Sequence, residues 1–196
     1  MRAQRRSRLL PLAALLSAVA LAAPAAAATY QIDGVHSSVV FKIKHLDTAN
    51  FYGRFNGLSG SIDFDSASPA AGKVRLEIKT ENVDTGVQQR DDHLRSPDFF
   101  DAKQFPTITF QSTKVAKAGD KSYDVTGDLN LHGVTKQITL RVDHTGSGKH
   151  PRSGAELVGF EARATIKRSD FGMQFMQGPL GDEVEILIAI EAAATP

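Results

Sequence analysis

A chain of 196 residues with 23 Lys+Arg, 22 Asp+Glu, six histidines and no cysteine has room for one domain of ordinary size and excludes thiol chemistry, disulfides and cysteine-ligated metals. Its formal charge is +1, with no basic stripe of the kind that tracks a phosphate backbone, so nucleic acid is not an expected partner. The 11 phenylalanines stand against 3 tyrosines and no tryptophan, which weights the aromatic content toward rings with no polar atom to satisfy.

Residues 1–28 read as a secretory signal peptide. Arg2, Arg5, Arg6 and Arg8 form a basic start, and Leu9 to Ala23 is an apolar run broken only by Pro11 and Ser17. Ala25 to Ala28 then offer an Ala-x-Ala cleavage site before Thr29. The run is too short for a typical membrane span. Arg5-Arg6 admits twin-arginine export, but Arg8 stands where that signal usually carries an apolar residue, which favours the general secretory route. Removing the segment takes four of the 23 basic residues and no acidic one, leaving 19 against 22 and a net charge of −3. An arginine- and alanine-rich leader on a cysteine-free chain points to a Gram-negative periplasm, with a fold held by packing and sheet hydrogen bonds.

Residues 29–196 read as one all-β domain. Period-two alternation begins with Val39, Phe41, Ile43 and His45 on one face and Ser38, Val40, Lys42 and Lys44 on the other. Phe51 to Asp65 follows as a long strand with Phe55 on one face and Leu58, Ile62 and Phe64 on the other. Gly53, Gly57 and Gly60 there read as bends or bulges. Val74 to Lys79 and Thr107 to Val115 are next, the latter with Ile108 and Phe110 inward. Tyr123 to Leu131 turns at His132-Gly133 into Val134 to Val142. Leu157 to Lys167, with Val158 and Phe160 on its apolar face, and Glu183 to Glu191 complete eight strands. Eight antiparallel strands avoid bare edges by closing into a barrel, with a sandwich as the competing architecture.

Two stretches break the alternation. Gly86 to Arg95 reads as a short helix ended by Ser96-Pro97, with Val87, Asp91 and Leu94 on one face. Phe99, Phe100 and Phe105-Pro106 follow it, making a plausible cap on one barrel mouth. Ser169 to Gly181 places Phe171, Met173, Phe175 and Met176 among glycines, an adaptable apolar surface.

The run from His36-Ser37-Ser38 to His45-Leu46, with Gly53-Arg54-Phe55, Arg90-Asp91-Asp92-His93-Leu94-Arg95-Ser96-Pro97, Phe105-Pro106-Thr107-Ile108-Thr109-Phe110, His132-Gly133 and Asp170-Phe171-Gly172, resembles the YceI-like, polyisoprenoid-binding family over residues 29 to 192. The resemblance implies a lipocalin-like barrel, exported in bacteria, with a long isoprenoid lipid in its lumen. It also implies association of some members with a cytochrome b561-type membrane protein. No cofactor is required; a bound isoprenoid lipid or quinone is the expected ligand, and monomer and dimer are both open.

An apolar tail needs an aliphatic and aromatic tube with a polar group at its mouth. Two isoprene units, at about 0.8 kcal/mol per carbon-sized group, set an upper limit of about 6–8 kcal/mol, near micromolar affinity. Candidate ligand contacts are Phe41, Ile43, His45, Phe51, Phe55, Arg90, His93, Leu94, Phe99, Phe100, Phe110, Phe160, Phe171, Met173 and Met176. Alternation alone leaves a lined cavity and a filled core equally open; the resemblance favours the cavity. Arg90 or His93 would bond a lipid head group, or the same polar cluster would fix the lid to the rim. Arg168-Ser169-Asp170 reads as a turn closure. His132 in a turn and His144 and His150 in a loop are expected to be solvated, and no histidine pair has ligand spacing for a metal. No nucleophile setting is present, so the expected function is a periplasmic carrier and not an enzyme. The rivals are an enzyme acting through His93 and Asp92, and a structural or interaction module with a filled core.

Overall fold

The computed structural model describes residues 28–195; the expected signal peptide lies outside them apart from Ala28. The chain runs through β1 (Ala28–Ile32), β2 (Ser38–His45), β3 (Ala49–Phe55), β4 (Ser59–Phe64), β5 (Lys73–Lys79), β6 (Val83–Asp84) and α1 (Gln88–Arg95). It continues through β7 (Thr107–Lys117), β8 (Ser122–Leu131), β9 (Val134–Lys149), β10 (Glu156–Lys167) and β11 (Leu180–Ala194). These segments make eight staves, because the early ones lie end to end. β1 and β2 run along one edge of β11, Tyr30 opposite Ala194 and Val39 opposite Ile188. β4 and β3 pair with β1 and β2, and β5 and β6 pair with β4 and β3. From β5 the antiparallel ladder passes through β7, β8, β9 and β10 to β11, which closes the ring on β1 and β2. Over the described residues the fold is a closed eight-stranded antiparallel barrel with one α-helix, and not a sandwich.

The breaks in the staves have local causes. The expected single strand from Phe51 to Asp65 is interrupted at residues 56–58, where Gly57 has φ +71°. That residue resets the alternation, so Phe55 and Leu58, expected on opposite faces, both point into the barrel and are buried. The gap between β1 and β2 is mended by a hydroxyl. Glu191 donates its N–H to Ser37 Oγ (3.1 Å), and the Asp33 N–H reaches the Glu191 carbonyl at 2.9 Å. The His132-Gly133 turn has φ +53° and +74°, the two left-handed residues that a tight hairpin demands.

One end of the barrel is filled with aromatic rings. Phe64 meets Phe160 and His144 at 5.1 Å and Tyr123 at 5.9 Å between ring centres. His144, expected in a solvated loop, thus sits on β9 within an aromatic cluster. His132 is also half-buried, with Nδ1 at 3.0 Å from the Phe171 carbonyl and its ring against Phe105. The other end carries α1. Val87, expected within that helix on one face with Asp91 and Leu94, instead precedes it and is 47% exposed.

Gly60 tests this wall. It has φ +136°, and a Cβ there would lie 1.9 Å from the Arg75 carbonyl oxygen. Gly86 has φ +77° but open space around it. Gly60→Ala is expected to cost about 3 kcal/mol and Gly86→Ala about 1 kcal/mol in urea unfolding. Equal costs would mean that backbone strain alone, without the strand contact, sets the effect.

Candidate functional site: an apolar cavity beneath the helix

A cavity of about 490 Å³ occupies the α1 end of the barrel. Val39, Phe41 and Ile43 of β2, Phe51 and Phe55 of β3, and Ile108 and Phe110 of β7 line its walls. Leu76 and Leu140 also border a smaller hollow of about 50 Å³ beside Phe64, Tyr123 and Phe160, so they form its floor. The polar residues in its lining are His45, Asn50, Thr109, Arg90, His93 and Arg168, of which His45, Asn50 and His93 are exposed and Arg168 is buried.

The cavity is held open by glycines that face aromatic rings. Gly53 lies opposite Phe41 in the ladder, and a Cβ on it would come within 2.2 Å of the Phe41 ring. A Cβ on Gly127 would come within 2.5 Å of the Phe110 ring. Each ring lies along the wall over a missing side chain instead of standing across the lumen. Gly53, expected as a bend, therefore works by making room.

The lid is fastened by its own polar residues. Asp91, buried at 6% exposure, accepts the Thr85 N–H at 2.8 Å and the Thr85 hydroxyl through the same oxygen. Arg90 donates from Nε to Thr85 Oγ1 and from Nη2 to the Thr85 carbonyl, both at 2.8 Å. Arg95 donates to the Glu81 and Val83 carbonyls. The Arg90 guanidinium also sits 4.4 Å from the Phe51 ring centre, a cation–π contact from lid to wall. Phe100 meets Phe55 at 5.3 Å, and His93, Phe99 and Phe175 form a mutual edge-on cluster.

The pairing needed for the enzyme reading is not formed. His93 Nε2 pairs with Asp98 at 2.9 Å, while Asp92 accepts from Gln88 and Arg95. The His93–Asp98 pair is about half exposed, a poor setting for proton transfer.

Of the expected contact residues, all line the cavity except Phe160 and Phe171. Phe160 belongs to the aromatic filling at the other end. Phe171 is 1% exposed, in the core beside the β8–β9 turn. Strand alternation placed Phe160 on the inward face but not at its depth, and Phe171, expected on an adaptable apolar surface, is instead buried in the core. His45, expected to point inward near a barrel end, borders the cavity yet is exposed at the rim.

In the sequence Arg168 reads as part of a turn closure; the fold gives it more to do. It is 4% exposed and donates to five backbone carbonyls: Gly181 (2.9 Å), Met173 (2.8 Å), Phe175 (2.7 Å), Met176 (3.3 Å) and Leu180 (3.1 Å). Burial lowers its pKa, and the nearby Asp182 charge opposes that. Asp182 is itself held below the usual carboxylate range by the Ser169 N–H and hydroxyl. One guanidinium thus shapes the whole 169–181 segment on the mouth.

Asp33, His36 and Glu191 bring one ligand atom each within 4.8 Å on the outer wall, away from the cavity. Histidine spacing did not reveal this group because two of its members are carboxylates. His36 Nδ1 lies 2.8 Å from Asp33 Oδ2, a contact that raises the imidazole pKa and lowers that of the carboxyl. It closes the turn between β1 and β2.

Arg168→Met would strip five carbonyls of their donor at once. The expected cost is about 3–5 kcal/mol in chemical unfolding, with amide exchange rising first in residues 169–181. Uniform exchange across the barrel would show that the residue does not act through that segment.

Residues 30–192 match the YceI-like domain. A UPF0312 protein of Pseudomonas aeruginosa is 47% identical over 180 residues, 91% of this chain and 93% of that protein. One from Yersinia pestis is 45% identical over 172 residues, 87% and 88% of the two chains. Among solved structures, the Campylobacter jejuni YCEI protein is 37% identical with a TM-score of 0.71, covering 78% of this chain and 90% of that one. Burkholderia cenocepacia BcnA is 29% identical with a TM-score of 0.75, over 82% and 98%. A polyisoprenoid binding domain from Saccharophagus degradans shares the fold at 19% identity, with a TM-score of 0.66 over 85% and 98%. Extended over nearly the whole barrel, these similarities show that the chain belongs to the YceI-like family.

Proposed function

We propose that this protein is a periplasmic carrier that holds an amphiphilic isoprenoid lipid, a polyprenyl phosphate or an isoprenoid quinone, in its barrel. The observation that carries the reading is the apolar cavity of about 490 Å³ beneath α1, with the exposed side chains of His45, Asn50 and His93 among its few polar lining groups. That volume falls in the range of about 300–1,000 Å³ usual for small-molecule sites. A prenyl chain offers methyl and methylene groups and no hydrogen bonds, which suits walls of Phe, Ile, Leu and Val. Arg90 commits Nε and Nη2 to Thr85, leaving Nη1 for a phosphate or carbonyl oxygen of the head group. The Saccharophagus degradans neighbour, a polyisoprenoid binding domain, has the same barrel.

The basic start and apolar run in the sequence of residues 1–28 support export, and the periplasm is where a loaded carrier would cross water between lipid surfaces. Any redox chemistry would belong to a bound quinone. The association with a cytochrome b561-type membrane protein rests on the family resemblance alone.

Native mass spectrometry of the protein purified from its own host is expected to show a prenyl lipid in stoichiometric complex. Protein that is lipid-free, and that takes up no added long-chain prenyl lipid, would overturn the carrier reading. Ile78 lines the cavity and is buried. Ile78→Trp should fill the lumen and weaken prenol binding by roughly tenfold or more, with a cooperative melt retained. His93→Ala should leave prenyl-chain binding in place, and the wild type should turn nothing over. A reaction on the bound lipid that disappears in this variant would establish the enzyme instead.

A further inference from the structure

Around the opening, exposed apolar side chains sit where local backbone chemistry disfavours them. The β2–β3 hairpin turns through Leu46 and Asp47, with φ +49° and +50°, closed by the Thr48 N–H on the His45 carbonyl at 3.1 Å. Two consecutive left-handed residues are a turn that calls for Asn-Gly or Asp-Gly. Here the first is leucine, 56% exposed. On the neighbouring rim loop Met176 also has φ +54° and is 41% exposed, and Phe175 beside it is 40% exposed. The two segments are joined, for the Leu46 N–H donates to the Pro179 carbonyl at 2.7 Å. Val87, 47% exposed, stands at the start of the lid. A left-handed leucine or methionine is strained, and an exposed one gains no burial in return.

Leu46, Phe175 and Met176 are continuous with the cavity, Phe175 through its ring contacts with His93 and Phe99. Met176 lines it, and so do His45, Ala49 and Leu180, which flank Leu46 in the chain and in the ladder. The charges beside them are mixed: Lys44 and Asp47 bracket Leu46, and Lys167, Asp182 and Glu183 flank the loop of Met176. No basic belt is present there to seek anionic head groups.

We propose that this rim is a membrane-docking surface: Leu46, Phe175, Met176 and Val87 insert into the interface of a bilayer and bring the mouth of the cavity against it. The proposal rests on the lipid-carrier reading and names how that site is loaded. A bilayer fits better than a protein partner because the prenyl cargo has negligible solubility in water. Transfer needs a path in which the chain leaves one apolar phase directly for another. Apolar insertion without a basic belt makes docking insensitive to salt and independent of anionic lipid.

The test uses the processed protein, with flotation on phosphatidylcholine vesicles at low and high salt. Farnesol binding in solution serves as a separate readout of the cavity. Wild type is expected to float equally at both salt concentrations. Leu46→Asn puts a residue suited to φ +49° into the turn, so its melting temperature should be unchanged or about 2–4 °C higher. Its vesicle partition should fall by about fivefold to tenfold, with farnesol binding unaltered. Val87→Gln should act in the same direction. Failure of the wild type to float, or flotation of both variants like wild type, overturns the docking surface while leaving the cavity reading intact. Flotation that needs anionic lipid and vanishes in salt also overturns it, as does a Leu46-dependent dimer formed without vesicles. Flotation without farnesol binding would leave the docking surface standing and sink the carrier reading.

Discussion

A ring of eight strands encloses enough volume for its own side chains or for a small guest, and this barrel divides that volume along its axis. At one end Phe64, Phe160, Tyr123 and His144 interlock and fill it. At the other end the same inward alternation continues, but glycines at 53 and 127 let Phe41 and Phe110 lie along the wall. The filled half supplies packing that the open half forgoes. Closure of the ring supplies the rest, since β11 bonds along its length to β10 on one side and to β1 and β2 on the other. Ser37 matters for that reason: its hydroxyl carries a hydrogen bond where the stave is interrupted.

A wide mouth has to be built from irregular chain, and irregular chain leaves carbonyls without partners. The 169–181 segment solves this with one buried cation. Arg168 collects five carbonyls, and Asp182, tied to Ser169, supplies the nearby negative charge. The planar, multi-donor guanidinium suits this better than an ammonium would. Because the cation is spent on backbone, it fixes the rim and contributes shape to the cavity, not a charge for binding.

The staves and their inward faces were legible because period-two alternation reports directly on which side chains meet the core. The helix and its place over one mouth followed from the length and phenylalanines of the segment after Asp84. Four things were not legible, each for a physical reason. Depth along the barrel is a matter of register between distant strands, so Phe160 could not be told from Phe110. The reset at Gly57 depends on one dihedral angle, which hid the common inward direction of Phe55 and Leu58. Arg168 acts through backbone carbonyls, which carry no side-chain signature, and His144 looked like loop because β9 runs well past Val142.

The dense polar run from Arg90 to Arg95 looks like a site in the sequence and acts as a fastening in the fold. Arg90 and Asp91 grip Thr85, and Arg95 grips the carbonyls of Glu81 and Val83, so α1 is bound to the segment that carries β6 by charge-assisted hydrogen bonds. On its other side the lid meets the rim loop through the edges of His93, Phe99 and Phe175. Such ring pairs are worth about 0.5–1.5 kcal/mol each beyond their burial, and Phe175 is partly exposed. The two sides of the lid are therefore unequal. The seam between α1 and the 169–181 loop is the weaker one, and it borders Met176 and His45, where the cavity reaches the surface. The cavity meets the surface there between a helix clamped on its far side and a loop pinned by Arg168.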